Sequence, residues 1–412
     1  MHDNSKIPKD WAPSTKYPKG ELLQLDHPLA HLQDEQIERL VDYLCYANHR
    51  SVRALHVFAC HDPEGRQAWR VGLTAEACRQ MARMTTDQVH ARLTSRVSLF
   101  ECVDEGADAQ AFASEEAAAP PDDPFGRFAM ACLRELHDAQ LELRQGCQVS
   151  GHPLTPLLVG GGQEVGLFES LSQAGLARFM RCSRPLFRPR PLLLELLCEN
   201  DPLIRLGRVN TALLQQGQEL PGCSPRSPGR GQPVSYSDRQ REAACYLRAG
   251  STIKVTVNIA GLSPTEVRRI ARQEKIRLRG GLRGNLATAM RSRRAALFCE
   301  SFLATVRAVE HTLDQLEEAA GAGGSIATMD IVHLASALYV RARAEIGALL
   351  DAAGEQAAAH FQDPNMWVTI FQSYLFHGVD LVNCRSCGND LFLPKDQPRT
   401  FCYYCKKALG EM

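Results

Sequence analysis

Three observations predict a mainly α-helical protein that closes in a four-cysteine ribbon. Apolar residues recur at helical spacing, as over Gln33 to His49, where Ile37, Leu40, Val41, Leu44 and Cys45 share one face. Two stretches of connector composition cut the chain into three helical segments. The C-terminus then carries Cys384-Arg-Ser-Cys387, fourteen further residues, and Cys402-Tyr-Tyr-Cys405.

The 412 residues leave room for roughly two to three domains. A hydrophobic share of 44% and a charged share of 23% are ordinary for a globular chain. Net charge is zero, so a surface for nucleic acid must come from local clustering. Residues 1–30, polar and rich in Lys and Pro, read as a disordered arm with no leader ahead of it. The eleven cysteines outside the C-terminal cluster form no second close pair, which suits a reducing compartment. No apolar run approaches the roughly 20 residues of a membrane helix. The expected location is the cytoplasm.

The first helical module covers residues 31–103. Thr74 should cap a helix running to Met84, and Thr85 another from Thr86 to about Ser95. Residues 104–124 are an Ala/Pro connector with seven acids and no base. Residues 125–215 form a second module that reads as a repeat of the first. Trp69-Arg-Val-Gly72, Glu76 and Met84-Thr85 match Leu158-Val-Gly160, Glu164 and Leu171-Ser172 across a one-residue gap, with chance similarity as the competing reading. Arg178, Arg181, Arg184, Arg188 and Arg190 close this module without an acid; a phosphate surface and a protein-contact surface both suit them. Residues 216–234 are the second connector.

The third segment, residues 235–375, opens with three short helices. Ser237 should cap a helix from Asp238 to Ala249, ended by Gly250, and Thr252 to Ala260 follow. In Gly261-Leu262-Ser263-Pro264, glycine permits the turn, leucine plugs the core, serine caps and proline suits the first helical position. The next helix, Pro264 to about Glu274, buries Val267, Ile270 and Ala271 and turns Arg268, Arg269 and Arg272 outward. This is a helix-turn-helix layout, whose second helix enters the major groove. From Pro264 to Arg294 ten bases face Glu266 and Glu274 alone, a local balance of +8. A polyanion partner would relieve that repulsion; a solvated basic face on an ordinary hairpin is the plainer alternative. Ile276 and Leu278 could pack beneath the cluster. Longer helices are expected over Arg293 to Leu313, over Ile331 to Leu350, and from Pro364 through Trp367, Ile370, Phe371 and Leu375.

Residues 376–412 hold the ribbon. Each Cys-x-x-Cys places two thiolates on one tight turn, and two such turns can close a tetrahedron around one metal ion. Cys384, Cys387, Cys402 and Cys405 are the expected ligands of one structural zinc, with no position left for a catalytic water. Two disulfides, chance spacing, or an iron site of the rubredoxin type are the competing readings.

From about Ser235 to Lys407 the chain resembles FlhC, the zinc-containing subunit of the bacterial flagellar master activator. The match includes the helix-turn-helix opening, the Trp367-to-Val382 helix ahead of the zinc site, Cys384-x-x-Cys387-Gly-Asn-Asp-Leu-Phe and Phe401-Cys402-x-x-Cys405. The first module resembles the partner subunit FlhD through Trp69-Arg-Val-Gly72-Leu-Thr-Ala-Glu76 and Met84-Thr85-Thr-Asp-Gln88-Val89, and the second resembles a degenerate copy. The resemblance implies a D–D–C fusion of mainly α class: two FlhD-like helical modules, a helix-turn-helix-containing helical domain and a C-terminal four-cysteine zinc ribbon. It implies a homodimer, with or without separate FlhD- or FlhC-type subunits, that binds double-stranded promoter DNA and recruits RNA polymerase. Relatives also serve mobile genetic elements, so the controlled genes need not be flagellar. The acidic connector has no counterpart, and Gly160-Gly-Gly162 stands where a helix start is expected, which suits a purely architectural second copy.

On this reading Arg268, Arg269 and Arg272 meet base edges or phosphates, while Lys275, Arg277, Arg279 and Arg283 neutralise phosphates. The runner-up is a zinc-containing interaction adaptor without its own DNA readout. An enzyme is not expected and no catalytic residue is assigned: the histidines are dispersed, and neither His-Glu-x-x-His nor a phosphate loop occurs.

Overall fold

Helix α1 spans Asp34–His61 in the computed structural model. The structure describes residues 34–93, 96–102, 123–150, 152, 154–159, 185–218, 236–248, 252–278, 290, 292–319, 370, 374, 378–395, 399–407 and 409. The expected arm, most of both connectors, the helix over Ile331 to Leu350 and Gly160-Gly-Gly162 lie outside them. Helix α1 runs well past its expected end at His49, because Val52, Leu55, Phe58 and Ala59 continue its buried face. A single 3-10 turn, Ala68–Val71, follows and ends at Gly72. Gly72 has φ 74, and a Cβ there would stand 3.2 Å from Pro185, so glycine answers both a left-handed turn and a close approach.

Helix α2 is Ala75–Ala82, with the Thr74 side chain accepting from the Ala77 N–H. Helix α3 is Thr86–His90, opened by a capping box of Thr85 and Gln88. It is shorter than the expected run to Ser95. Strand β1 is Phe100–Cys102. Helices α4, Pro124–Ser150, and α5, Thr155–Val159, precede strand β2, Phe187–Pro189. Helix α6 is Pro191–Cys198 and helix α7 is Pro202–Gln218. The last turn of α7 enters the stretch expected as a connector, since Leu213, Leu214 and Gln216 are buried.

Helices α8, Tyr236–Arg248, α9, Ile253–Ala260, and α10, Pro264–Gln273, form a three-helix unit. Ser237 lies inside α8 rather than at its cap. The unit has its own small core of Ala243, Ala244, Leu247, Ala260, Leu262, Val267, Ile270 and Ala271. Helix α11 is Arg293–Ala319, longer than the expected run to Leu313. Strands β3, Val379–Asn383, and β4, Asp390–Pro394, form an antiparallel hairpin; the helix expected over Trp367 to Val382 is therefore wrong at its end, where residues 379–382 are extended by pairing with β4.

The protein is mainly helical, and one apolar cluster runs from Leu40 to Leu409 through α1, α4, α6, α7, α11 and the β3–β4 hairpin. Helix α1 lies antiparallel on α4: Tyr43 packs on Gly146, and His61 meets Phe128 with ring centroids 4.4 Å apart. Strand β1 pairs antiparallel with β2 in the register Phe100↔Pro189, Glu101↔Arg188, Cys102↔Phe187. Among the described residues no helix is long and apolar enough to cross a membrane.

Candidate metal centre

The β3–β4 hairpin turns through the first knuckle, Cys384 to Cys387. The Cys384 carbonyl accepts from the Gly388 N–H (2.6 Å), and the Cys384 N–H donates to the Asn389 carbonyl (2.9 Å). The second knuckle repeats this pattern at the same spacing. The Cys402 carbonyl accepts from the Lys406 N–H (3.0 Å), and the Cys402 N–H donates to the Lys407 carbonyl (2.8 Å). Both turns need a left-handed residue: Gly388 at φ 71 in the first and Lys406 at φ 55 in the second. Backbone N–H groups then point at sulfur, from Ser386 and Cys387 to Cys384, from Asn389 to Cys387, and from Tyr404 and Cys405 to Cys402.

The four expected ligands meet. Their sulfur atoms all lie within 4.8 Å of one another. Cys384 Sγ stands 3.9 Å from Cys405 Sγ, and Cys387 Sγ stands 3.7 Å from Cys402 Sγ. A tetrahedron with metal–sulfur bonds of about 2.3 Å has edges of about 3.8 Å. The spacing therefore fits a tetrahedral metal ion and is far too long for a disulfide; all four cysteines are free. A hydrogen bond from the Cys402 thiol, helped by the Asn389 N–H, pulls the Cys387 thiol down to about 5. Donating that bond pushes Cys402 up.

The ribbon is not a free appendage. Tyr403 and Tyr404, the two residues inside the second knuckle, are 1% and 0% exposed. Arg293 of α11 donates to the carbonyls of Tyr403 and Tyr404, each at 2.8 Å. Asn210 of α7 donates to the Tyr404 hydroxyl (2.8 Å) and to Ser301 Oγ of α11 (3.2 Å), while accepting from Arg96 (2.9 Å). Asn389, wholly buried, donates to the Ile204 carbonyl (3.2 Å), and Thr211 Oγ1 accepts from the Asp390 N–H (2.9 Å). Glu300 of α11 is buried, and both its oxygens accept from the Phe392 N–H at 2.8 and 2.9 Å. Burial holds that carboxyl well above the usual range, because the core solvates a charge poorly. Alanine at Gly207 of α7 would put its Cβ 2.2 Å from Asn389 Nδ2 and 3.0 Å from Tyr404 Cδ2.

The four cysteines are legible in the sequence, and this dock is not. The available signal was the Tyr-Tyr pair inside a turn, since two large rings on a tight knuckle need a surface to cover them. Arg293, counted with the basic cluster, is committed to the ribbon. Of the second basic run, Arg188 pairs with Glu101 at 2.6 Å across β1 and β2, and Arg190 precedes α6 with Nε 3.4 Å from the Phe100 carbonyl. Arg178, Arg181 and Arg184 lie outside the described residues.

The other site residues sit on α10 and just past it. A capping box of Ser263 and Glu266 opens α10, with Pro264 in its first turn. Val267, Ile270 and Ala271 are buried, and Arg268, Arg269 and Arg272 are exposed. Tyr236 of α8 donates to Glu266 (2.5 Å), tying the two helix starts together. Arg269 reaches Gln273 (3.1 Å) along its own helix. Lys275 takes φ 54; its N–H donates to the Arg272 carbonyl and that of Ile276 to Ala271. This closes the helix in a Schellman motif and brings Ile276 onto the small core. Lys275 and Arg277 are exposed, as is Leu278, which was expected to pack beneath them. Arg279 and Arg283 lie outside the described residues.

Fold and site together define a mainly helical protein with a C-terminal four-cysteine cluster able to hold a metal ion. No protein-family model matches the chain, and neither does any curated protein or solved structure.

Proposed function

We propose that the chain is a sequence-specific DNA-binding transcriptional activator of the FlhDC type. It is a D–D–C fusion that acts as a dimer and recruits RNA polymerase in the cytoplasm. One observation carries the reading. Helix α10 presents Arg268, Arg269 and Arg272 outward from a three-helix unit whose small core is separate from the main one. In this reading α9 and α10 are the helix-turn-helix, and α10 lies in the major groove. Arginines on its outer face contact guanine edges or phosphates, and Lys275 and Arg277 extend the contact along the backbone. The four-cysteine cluster holds one zinc ion as a structural element; bound there, zinc supplies four bonds that keep both knuckles closed. No residue is assigned a catalytic role.

The test is selection of genomic fragments by the purified protein, beside an Arg268→Ala, Arg269→Ala, Arg272→Ala variant. The parent should enrich a few promoters and the variant none. Loss of Arg269 alone should cost about 1–3 kcal/mol and relax one operator position if it reads a base. Absence of enrichment by a folded, zinc-loaded parent would refute the reading. It would favour the adaptor alternative, to which Trp69 lends some support: its ring is 67% exposed beneath the Arg70 guanidinium, a common feature of protein contact surfaces.

A further inference from the structure

We infer that residues 34–102 and 123–189 are two divergent copies of one module paired about an approximate internal twofold axis, and that Arg50 facing Glu135 and Glu142 makes each copy the partner of the other rather than of itself. This pairing is independent of DNA binding and would survive its failure.

Matching elements recur at a nearly constant offset. Helix α1 begins at 34 and α4 at 124, an offset of 90; they end at 61 and 150, an offset of 89. Strands β1 and β2 begin at 100 and 187, an offset of 87. The match of Gly72 with Gly160, an offset of 88, falls between these values. The second copy's counterparts of α2 and α3 lie outside the described residues.

Equivalent elements also touch each other at equivalent positions, which is the mark of a twofold, isologous contact. Where α1 crosses α4, Gln140 donates to Ser51 Oγ at 2.8 Å, and these positions are 89 apart. At the centre of the β1–β2 pair Glu101 stands opposite Arg188, 87 apart. Each copy supports its own strand alike. Asn48 Oδ1 of α1 accepts from the Leu99 N–H (3.1 Å), and His137 Nε2 of α4 accepts from the Leu186 N–H (3.1 Å). Asn48 and His137 are 89 apart, and Leu99 and Leu186 are 87 apart. Burial pushes the His137 ring down to about 3, so it is neutral and can accept.

The two copies differ where they meet. Arg50 donates to Glu135 and Glu142, each at 2.7 Å. At the offset of 89, the residue matching Glu142 is Arg53. A pair of two first copies would therefore set Arg50 against Arg53 where the fold sets it against an acid. Such repulsion disfavours the like pair while attraction favours the mixed one. The buried face of α1 is thus an interaction surface whose partner is the other copy of its own module, supplied by the same chain.

Two measurements on the full chain test this. In denaturant unfolding, Arg50→Glu should lower the folding equilibrium constant about tenfold, and Glu135→Arg with Glu142→Arg by a similar factor. The triple charge exchange should return within about threefold of the parent. Additive losses in the triple variant overturn the charge specification. The copy relationship is read from amide exchange at Leu186. His137→Asn installs the first copy's residue at the matching position and should keep that amide protected; His137→Ala should raise its exchange about tenfold or more. Equal loss in both variants overturns the equivalence. A His137→Asn chain that also loses protection at Leu99 overturns it too, because a residue native to the matching position must fit.

Discussion

Gly207→Ala sets two forces of opposite sign against each other. Gly207 lies inside α7, where alanine in place of glycine ordinarily stabilises a helix by about 0.5–1 kcal/mol. Here the new Cβ would stand 2.2 Å from Asn389 Nδ2 and 2.8 Å from Asn389 Cγ. Asn389 has no room to retreat: it is fully buried, and its backbone carbonyl accepts from Cys384 while its N–H faces the Cys387 sulfur. The side chain must leave Ile204, forfeiting a hydrogen bond worth about 0.5–1.5 kcal/mol, and overpacking adds about 1–3 kcal/mol. Less the helical gain, the net loss is about 1–3 kcal/mol. The loss falls on the docked ribbon, so it should appear as zinc binding weaker by about five- to a hundred-and-fifty-fold. The assay is competition for zinc with a chromophoric chelator, beside denaturant unfolding of the loaded chain. A Gly207→Ala protein that is more stable than the parent and binds zinc equally well would show that α7 does not support the knuckle.

Other outcomes follow from the same contacts. Cys387→Ser should abolish zinc binding, because structural zinc contributes on the order of 10–16 kcal/mol in small modules; it should also expose Tyr403 and Tyr404 and loosen α7 against α11, which proteolysis would detect. A variant that keeps one bound zinc and the parent's protease resistance contradicts this. Lys275→Gly should stabilise the three-helix unit by about 0.5–1 kcal/mol, since glycine takes φ 54 without the Cβ penalty; faster amide exchange along α10 would be the wrong sign. Burial pushes the rings of His49, His152 and His311 down to about 4 and His137 down to about 3. Each folded value lies below the ordinary 6.5, so each ring is neutral in the fold and charges in the unfolded chain. Their stabilisation is complete above about pH 6.5 and is lost as pH falls toward about 4 and then about 3. Unfolding midpoints taken from about pH 7 to about pH 4.5 should fall, and His137→Asn should flatten the decline; a parent midpoint that does not move would contradict the assignment.

Much of this protein could be read without coordinates wherever the determinants are local. The helix caps at Thr74, Thr85 and Ser263 fall as expected, because a side-chain oxygen reaching an N–H three residues on needs nothing but its own turn. The buried stripe of Val267, Ile270 and Ala271 and the opposing arginines follow from helical periodicity alone. Helix ends were less legible. Helix α1 outruns its expected end, and α3 falls short of its own, since tertiary packing decides how far a turn is worth continuing.

By itself the sequence determined a mainly helical chain, the position of its three-helix unit, and the four cysteines that could hold a metal ion. The reason is that each depends on spacing within a few turns of chain. Only the tertiary structure decided that the ribbon is buried through Tyr403 and Tyr404, that Arg293 serves it, and that Gly207 leaves room for Asn389. It alone placed Ser51 against Gln140 and Asn210 between Arg96, Ser301 and Tyr404. These partners are far apart in sequence. Their meeting depends on how helices of the main core pack together, and a pattern of residues along one helix does not specify the surface that will cover it.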